Sequence, residues 1–226
     1  MIRGIAFDLE GTVVDVERAH HDAHLRTAAE IGVHLTFDSA LVRVPHFIGG
    51  PGVAEEIWAL SDKTHPLEFY KKRQREYFRQ ILETIPIVPR PGFLEVLRSL
   101  REKGLQTAIG SLTRTDEALF LLKKSGLDQE FAKKQIVLKE DVQNLKPAPD
   151  VFLRTAERMG IPPSEQVVFE DSPSGITSAY AAGSYAAIGM PVYLRKEIIA
   201  SLVEAGALRI FADWRELNIL SLLLNL

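Results

Sequence analysis

Residues 7–15 read FDLEGTVVD, and they follow a short apolar run, Ile2–Phe7, of the β-strand type. Asp8 and Glu10 stand one residue apart at the end of this run, and Gly11 and Thr12 come directly after them. A lone Asp-x-Glu pair arises often by chance in soluble chains. Its meaning therefore depends on whether other parts of the chain supply partners for the two carboxylates.

Five further apolar runs of strand length follow along the chain: Gln106–Ile109, Gln135–Leu138, Gln166–Phe169, Tyr185–Ile188 and Leu208–Phe211. Helical periodicity fills most of the intervals, at Gly92–Lys103, Arg114–Lys124, Asp150–Met159 and Ser172–Ala181. Apolar strands that alternate with helices are typical of a parallel sheet covered by helices on both faces. The pattern predicts an α/β fold with a Rossmann-like core, in which ligands bind at the carboxyl ends of the strands.

One region lacks strand patterns. It has helical patterns at Glu17–Ile31, Gly52–Leu60 and His65–Ile85, and strand–helix alternation resumes after the proline-rich stretch IPIVPRPG, residues 85–92. We expect residues 17–85 to form an all-α cap inserted after the first strand, with residues 1–16 and 86–226 as the catalytic core. The sequence GGPG at residues 49–52 predicts a loop between cap helices, and it lacks the lysine of a nucleotide-binding Walker loop.

The composition excludes several classes of protein. Hydrophobic residues make up 46% of the 226 residues and charged residues 25%, as in globular proteins. The net charge of −3, without a block of like charges, disfavours nucleic-acid binding. The absence of cysteine excludes disulfides, thiolate metal sites and a thiol nucleophile. The chain opens without a charged-then-apolar leader, and no apolar run approaches the roughly 18 residues of a membrane span, so we expect a cytoplasmic protein without membrane partners.

Four groups of polar residues stand where predicted strands end. They are Asp8 with Glu10, Ser111 after TAIG, Lys146 in NLKPAPD, and Glu170 with Asp171 in VVFEDSPSG. Each has a simpler explanation on its own: the serine could cap the next helix, the lysine could be a solvated loop charge, and the acid pair could favour a helix N-terminus. Their succession at strand ends makes a shared site the better hypothesis.

These residue types suit phosphoryl transfer with a divalent cation. A carboxylate can attack phosphorus and divide one difficult displacement into two easier ones. A hard cation such as Mg²⁺ neutralises the repulsion between the carboxylate and the phosphate, and lysine and hydroxyl donors hold the phosphate oxygens. A second carboxyl can protonate the leaving alkoxide and then accept a proton from water.

With these motifs in place, the chain resembles the haloacid dehalogenase-like hydrolase superfamily. The subgroup is the one with a helical cap after the first strand, and the branch is that of β-phosphoglucomutase and phosphoglycolate phosphatase. The resemblance covers roughly residues 2–212 and is carried by FDLEGTVVD, by the strand that ends in Ser111, by LKPAPDVF and by EDSPSGITSAYAAG. It implies a Mg²⁺-dependent phosphatase of a small phosphorylated metabolite.

The resemblance also implies roles for individual residues. Asp8 would be the nucleophile and Glu10 the acid/base, and Ser111 and Lys146 would hold the phosphate together with Leu112. Mg²⁺ would be held by the following groups: Asp8, the main-chain carbonyl of Glu10, Glu170 and Asp171. His20 and Arg43 in the cap are candidate substrate-binding residues.

Glu10 departs from the aspartate that most phosphatases of this family carry. The enolase-phosphatase branch has a similar Asp-x-Glu-Gly-Thr motif, so glutamate is compatible with catalysis. Two alternatives to the phosphatase remain open, namely a sugar-phosphate mutase of the β-phosphoglucomutase kind and a phosphometabolite-binding protein with little turnover. Dehalogenase chemistry is disfavoured, because the acid pair and Gly11-Thr12 suit a metal-bound phosphate.

Two weaker patterns remain. His20 and His24 form an i, i+4 pair that could bind zinc, although the sequence offers no third ligand. The stretch WRELNILSLLLNL, residues 214–226, predicts a last helix packed on the sheet, with a subunit contact as the alternative. We expect a monomer or a weak homodimer.

Overall fold

The computed structural model describes residues 1–48 and 52–218. The chain divides into two compact units, with boundaries between Asp15 and Val16 and between Pro86 and Ile87. The first unit contains the sheet, and the second, formed by the intervening residues, contains helices. In the described residues no helix is long and apolar enough to cross a membrane.

Six parallel strands form one sheet. In chain order they are β1 (Gly4–Phe7), β2 (Gln106–Gly110), β3 (Ile136–Val137), β4 (Gln166–Glu170), β5 (Ala186–Gly189) and β6 (Arg209–Ile210). The spatial order is β3-β2-β1-β4-β5-β6, so β1 and β4 lie at the centre. Both are buried along their whole length, and their apolar residues Ile5–Phe7 and Val167–Phe169 suit a sheet covered on two faces. The predicted α/β Rossmann-like fold is confirmed.

Five helices of the sheet unit connect or follow these strands. They are α5 (Phe93–Glu102), α6 (Thr115–Ser125), α7 (Asp150–Met159), α8 (Pro173–Ala181) and α9 (Lys196–Glu204). In α5 the buried positions recur at helical spacing, which gives the helix one apolar face. Because parallel strands need crossover helices, this arrangement brings the carboxyl ends of all six strands to one edge of the sheet.

Aromatic rings fill the core beneath that edge. Phe7 of β1 stacks on Phe169 of β4 with ring centroids 5.7 Å apart, and Trp214 lies 5.0 Å from the same Phe169 ring. The indole nitrogen of Trp214 donates a hydrogen bond of 3.1 Å to the main-chain carbonyl of Thr12. Burial of these rings stabilises the two central strands, and the Trp214 hydrogen bond connects the loop after β1 to the segment that follows β6.

The helical unit contains α1 (Glu17–Glu30), α2 (Phe37–Arg43), α3 (Val53–Ala59) and α4 (Leu67–Thr84). Its own apolar core includes Ala28, Val44, Ile57 and Tyr70, all fully buried. At the start of α2, Thr36 and Ser39 form a reciprocal capping box between side chains and main-chain N–H groups.

The structure corrects the sequence analysis in two places. Two helices, α2 and α9, were not predicted. The helix predicted from Trp214 is wrong for the described part of that stretch, because Trp214–Glu216 forms a single 3₁₀ turn capped by the Asp213 carboxylate. The predicted loop at residues 49–52 falls largely outside the described residues, as does the leucine-rich end from residue 219.

Candidate active site

Asp8 is the first residue after β1, where its side chain enters the carboxyl edge of the sheet. Its main-chain N–H donates to the carbonyl of Phe169 at 3.0 Å, which continues the ladder with β4 for one more residue. The chain then turns, and the N–H groups of Val13 and Val14 both donate to the Leu9 carbonyl. Gly11 has φ of +79°, a conformation that glycine adopts without strain, so the turn explains the glycine of FDLEGTVVD.

The Lys146 ammonium lies between two carboxylates. Its Nζ is 2.6 Å from Asp8 Oδ1 and 2.5 Å from Glu170 Oε1, and it also donates to the carbonyl of Gly110 at 3.4 Å. Asp8, Lys146 and Glu170 are all buried. The loop that carries the lysine is held in turn by Ser178 of α8, which donates to the carbonyl of Ala148 at 2.6 Å. Sequence residues 8, 146 and 170 are therefore brought into one hydrogen-bonded triad.

The triad contains two carboxyl groups and one ammonium group, and burial and the neighbouring charges together set their pKa values. Burial raises the pKa of Asp8 to about 8, against the opposing effect of Lys146 and with the support of the Glu170 charge. Burial alone would lower the pKa of Lys146, but the charges of Asp8 and Glu170 outweigh it and raise the pKa. The lysine therefore stays protonated, and a cation bound beside Asp8 would favour the ionised form of its carboxyl.

Glu170 and Asp171 have different surroundings although they are adjacent. The second oxygen of Glu170 accepts hydrogen bonds of 2.9 Å from both the main-chain N–H and the hydroxyl of Ser172. Both oxygens of Glu170 are thus engaged by protein groups. Asp171 Oδ1 instead accepts a hydrogen bond of 3.3 Å from the Thr12 hydroxyl, which links the acid pair to the loop after β1.

Ser111 follows β2 and is held by its main chain and its side chain. Its N–H donates to the Val137 carbonyl at 3.0 Å, and its Oγ lies 2.8 Å from Thr113 Oγ1. Thr113 also donates a hydrogen bond to Glu10 Oε1. Leu112, between the two hydroxyl residues, is half-buried. The structure thus joins the predicted Ser111 and Glu10 through a residue that the sequence analysis did not single out.

The two candidate residues from residues 17–85 lie in the helical unit. The His20 ring stacks on Phe78 with centroids 3.7 Å apart, and Arg43 is exposed at the last turn of α2. Their part in substrate binding stays a prediction. His24 Nδ1 lies 2.8 Å from the Tyr70 hydroxyl, and among the described residues no group of three or more His, Cys, Asp or Glu side chains could hold a metal ion. The zinc hypothesis gains no support.

The donor chemistry of the site fits magnesium. Asp8, Asp171 and the main-chain carbonyl of Glu10 offer hard oxygen donors, and the chain has no thiolate. Mg²⁺ in phosphoryl-transfer sites is usually bound by only one or two carboxylates, with substrate phosphate and water as its other ligands. A site with only two candidate carboxylate ligands, Asp8 and Asp171, therefore agrees with this ion better than with one that needs a complete protein cage.

Sequence reasoning missed three residues that organise the site. Thr113 and Ser172 lie within two residues of predicted site residues, so proximity to a strand end is the signal that could have indicated them. Arg90 lies in the proline-rich stretch and donates to the carbonyls of Gly11, Met190 and Ala212 at 2.7, 2.5 and 2.8 Å. No local pattern distinguishes it, because its partners come from three distant loops.

The chain is similar to known proteins along most of its length. The family described as haloacid dehalogenase-like hydrolase matches residues 2–183. The phosphorylated carbohydrates phosphatase of Thermotoga maritima is 31% identical over 221 residues, which cover 97% of this chain and 98% of that protein. Fructose-1-phosphate phosphatase YqaB of Escherichia coli is 30% identical over 186 residues, covering 80% and 92% of the two chains. A crystal structure of a HAD family hydrolase from Deinococcus radiodurans, with bound phosphate and sodium, has a TM-score of 0.73 at 25% identity and covers 95% of this chain and 93% of its own.

The match spans both the first strand with its two acids and the strand that ends in Glu170. The relative from Thermotoga maritima is similar along almost the whole of both chains. The resemblance drawn from the motifs is thereby confirmed: the chain belongs to the haloacid dehalogenase-like hydrolase family.

Proposed function

We propose that this protein is a phosphatase that hydrolyses phosphoric monoesters of small sugars or polyols through a phosphorylated Asp8. The observation that carries the proposal is the Lys146 ammonium, 2.6 Å from Asp8 Oδ1 and 2.5 Å from Glu170 Oε1. A buried lysine beside a free carboxylate oxygen provides positive charge where the charge of a transferring phosphoryl group would develop.

In the first step a carboxylate oxygen of Asp8 attacks phosphorus, and the bond from phosphorus to the ester oxygen breaks. The Glu10 carboxyl gives its proton to that oxygen, so the substrate leaves as an alcohol. The Ser111 hydroxyl and the Lys146 ammonium hold the phosphate oxygens during the transfer. Bound Mg²⁺ would neutralise charge between Asp8 and the phosphate, held by Asp8, Asp171 and the Glu10 carbonyl.

In the second step the oxygen of a water molecule attacks phosphorus while the Glu10 carboxylate accepts a proton from that water. The bond between phosphorus and Asp8 breaks, inorganic phosphate leaves, and Asp8 and Glu10 return to their initial states. We assign Glu170 to the orientation of Lys146 rather than to the metal, since both of its oxygens already accept hydrogen bonds from Lys146 and Ser172.

The proposed substrate class rests on the similar proteins. Those from Thermotoga maritima and Escherichia coli are named as phosphatases of phosphorylated carbohydrates and of fructose 1-phosphate. Hexitol phosphatase A of Escherichia coli is also 31% identical over 190 residues. A sugar or sugar-alcohol phosphate is therefore the first class to assay.

The test is a screen of phosphorylated sugars, sugar alcohols and short organic acids for release of inorganic phosphate. Each assay is run with Mg²⁺, with EDTA, and with the Asp8→Asn variant, whose amide has the same shape but is not a competent nucleophile. We expect Mg²⁺-dependent release from at least one sugar phosphate, and none from the variant. Conversion of a sugar 1-phosphate to the 6-phosphate without release of phosphate would instead support a mutase.

A further inference from the structure

Thr113 joins two groups of the proposed site that belong to different segments of the chain. Its hydroxyl donates to Glu10 Oε1 and lies 2.8 Å from Ser111 Oγ. Its main chain is also fixed, because its N–H donates to Ser111 Oγ at 3.3 Å and its carbonyl accepts from the N–H of Lys139 at the same distance. The side chain is buried. Thr113 is thus a rigid connection between the loops that follow β1 and β2.

The chemistry of hydroxyl groups decides which group donates and which accepts in the hydrogen bonds of Thr113. An ionised carboxylate only accepts hydrogen bonds, so the single hydroxyl proton of Thr113 must be the one donated to Glu10. The lone pairs of Thr113 Oγ1 are then free to accept from Ser111, whose hydroxyl is 2.8 Å away. When Glu10 is ionised and no phosphate is bound, the hydrogen bonds run from Ser111 to Thr113 to Glu10.

The length of the glutamate matters for this contact. Glu10 and Thr113 are 103 positions apart in the sequence, and their side chains meet only because β1 and β2 are neighbours. An aspartate at position 10 would be shorter by one carbon–carbon bond, about 1.5 Å. From the same backbone position its carboxyl would fall short of the Thr113 hydroxyl, because a gap of that size exceeds the tolerance of a hydrogen bond.

We infer that Thr113 is a positioning residue for Glu10, and that the glutamate in this chain is matched to it. The inference rests on the proposed function, because it gives Thr113 its effect through the acid/base role of Glu10. Thr113 holds the flexible Glu10 side chain in one place, so its carboxyl can give a proton to the ester oxygen in the first step and accept one from the attacking water in the second. Misplacement of a catalytic group by about 1 Å can cost roughly 10²-fold in rate.

The experiment compares Thr113→Val, Thr113→Ser, Glu10→Asp and the double variant Thr113→Val/Glu10→Asp. Each is assayed on a sugar phosphate identified by the screen, whose leaving alkoxide needs a proton, and on 4-nitrophenyl phosphate, whose leaving group needs little protonation. With the sugar phosphate we expect Thr113→Val to lower kcat by roughly 10- to 100-fold while KM changes by less than about threefold. The rapid first release of nitrophenolate should fall much less, and Thr113→Ser, which keeps the hydroxyl, should restore most of the lost rate.

The double variant gives the sharpest outcome. If Thr113 acts through the reach of Glu10, Thr113→Val should cost less than about threefold in the Glu10→Asp background, because contacting residues give non-additive effects. The control is Thr107→Val, a buried threonine near the amino end of β2 whose hydroxyl accepts only a 3.4 Å hydrogen bond from Arg101 Nε. It should leave the ratio of the two activities unchanged, and thermal unfolding of every variant checks that each one is folded.

Two patterns of loss in Thr113→Val would overturn the inference. One is an equal loss of the sugar-phosphate rate and of the first release of nitrophenolate, and the other is a full loss that persists in the Glu10→Asp background. A wild-type protein that releases phosphate, with an inactive Asp8→Asn and an unaffected Thr113→Val, would refute this inference alone. A wild-type protein that releases no phosphate from any ester would refute the proposed function and the inference with it.

Discussion

The carboxylate of Glu170 occupies the space that a side chain on Gly175 would need. A Cβ built on Gly175 overlaps the carboxyl carbon and both carboxyl oxygens of Glu170. Gly175 lies in the first turn of α8, and its N–H donates to the capping Ser172 hydroxyl at 3.1 Å. The glycine of EDSPSG is thus required for the approach of Glu170 to Lys146 rather than for an unusual backbone conformation.

Gly175→Ala should therefore displace Glu170 and inactivate the protein without unfolding it. Overpacking at such a site costs typically about 1–3 kcal/mol. The displaced carboxylate would release Lys146, so we expect phosphatase activity to fall by at least about tenfold, one such step being about 1.4 kcal/mol. Thr177→Ala, at an exposed position of the same helix, is the control and should keep full activity. Wild-type activity in Gly175→Ala would show that the position of Glu170 is unimportant.

Lys146→Met should lose both activity and stability, because it leaves two buried carboxylates without their shared cation. Removal of one partner from a buried ion pair costs typically about 3–5 kcal/mol. The double variant Lys146→Met/Glu170→Gln removes one of the two charges, so it should regain much of the free energy of unfolding. It should regain no activity, since the phosphate-binding cation is still missing. Urea unfolding at pH 7 and phosphate release measure the two properties, and a double variant as unstable as Lys146→Met would contradict the triad.

The fold was largely predictable because its signals are local. Each of the six strands is a short apolar run, and each strand of the structure overlaps a predicted range, with ends that differ by no more than two residues. The missed helix α2 has a local signal as well, in the capping pair Thr36 and Ser39, but its seven residues are too few for a clear apolar period. In α9 the buried Ile198 and Leu202 are four residues apart, which is a helical spacing, although the sequence analysis did not predict this helix.

The site was predictable only in part, because its organising contacts are long-range. Position at a strand end indicated Asp8, Ser111, Lys146 and Glu170. It could not indicate that Glu170 accepts hydrogen bonds from both Lys146 and Ser172. The leucine-rich stretch from Trp214 predicts a helix, whereas the Trp214 ring packs among the core aromatics and donates a hydrogen bond to the main-chain carbonyl of Thr12.

The helical unit should lose stability as the pH falls below neutrality. Burial, with a smaller contribution from the charge of His20, lowers the pKa of His21 and of His24 to about 3 in the folded chain. In the unfolded chain the pKa of a histidine is about 6.5. Between these two pKa values the unfolded chain binds protons that the folded chain does not. The stability that the two neutral histidines contribute is therefore complete above about pH 6.5 and is lost progressively as the pH falls.

Urea unfolding between pH 7.5 and 5.5 tests this, since most carboxylates remain ionised there. The His21 ring packs on Phe47, and its Nε2 donates to the Phe47 carbonyl at 3.2 Å, so His24→Gln is the milder variant. It should flatten the pH dependence of the free energy of unfolding relative to wild type. His34→Gln, at an exposed position of the same unit, is the matched control. Equal slopes in wild type and His24→Gln would exclude His24 as a source of the acid sensitivity.

The most direct test of the account is the detection of a phosphoryl group on Asp8. Wild-type protein is mixed with a sugar phosphate and Mg²⁺, quenched in acid during turnover, and examined by mass spectrometry of the intact chain and of its peptides. Glu10→Ala should accumulate more of the species, because attack by water on the intermediate needs a base. The account predicts a mass increase of one phosphoryl group in the peptide that contains Asp8, and none in Asp8→Asn. Steady release of phosphate by Asp8→Asn at the wild-type rate, or a phosphoryl group on another residue during turnover, would contradict it.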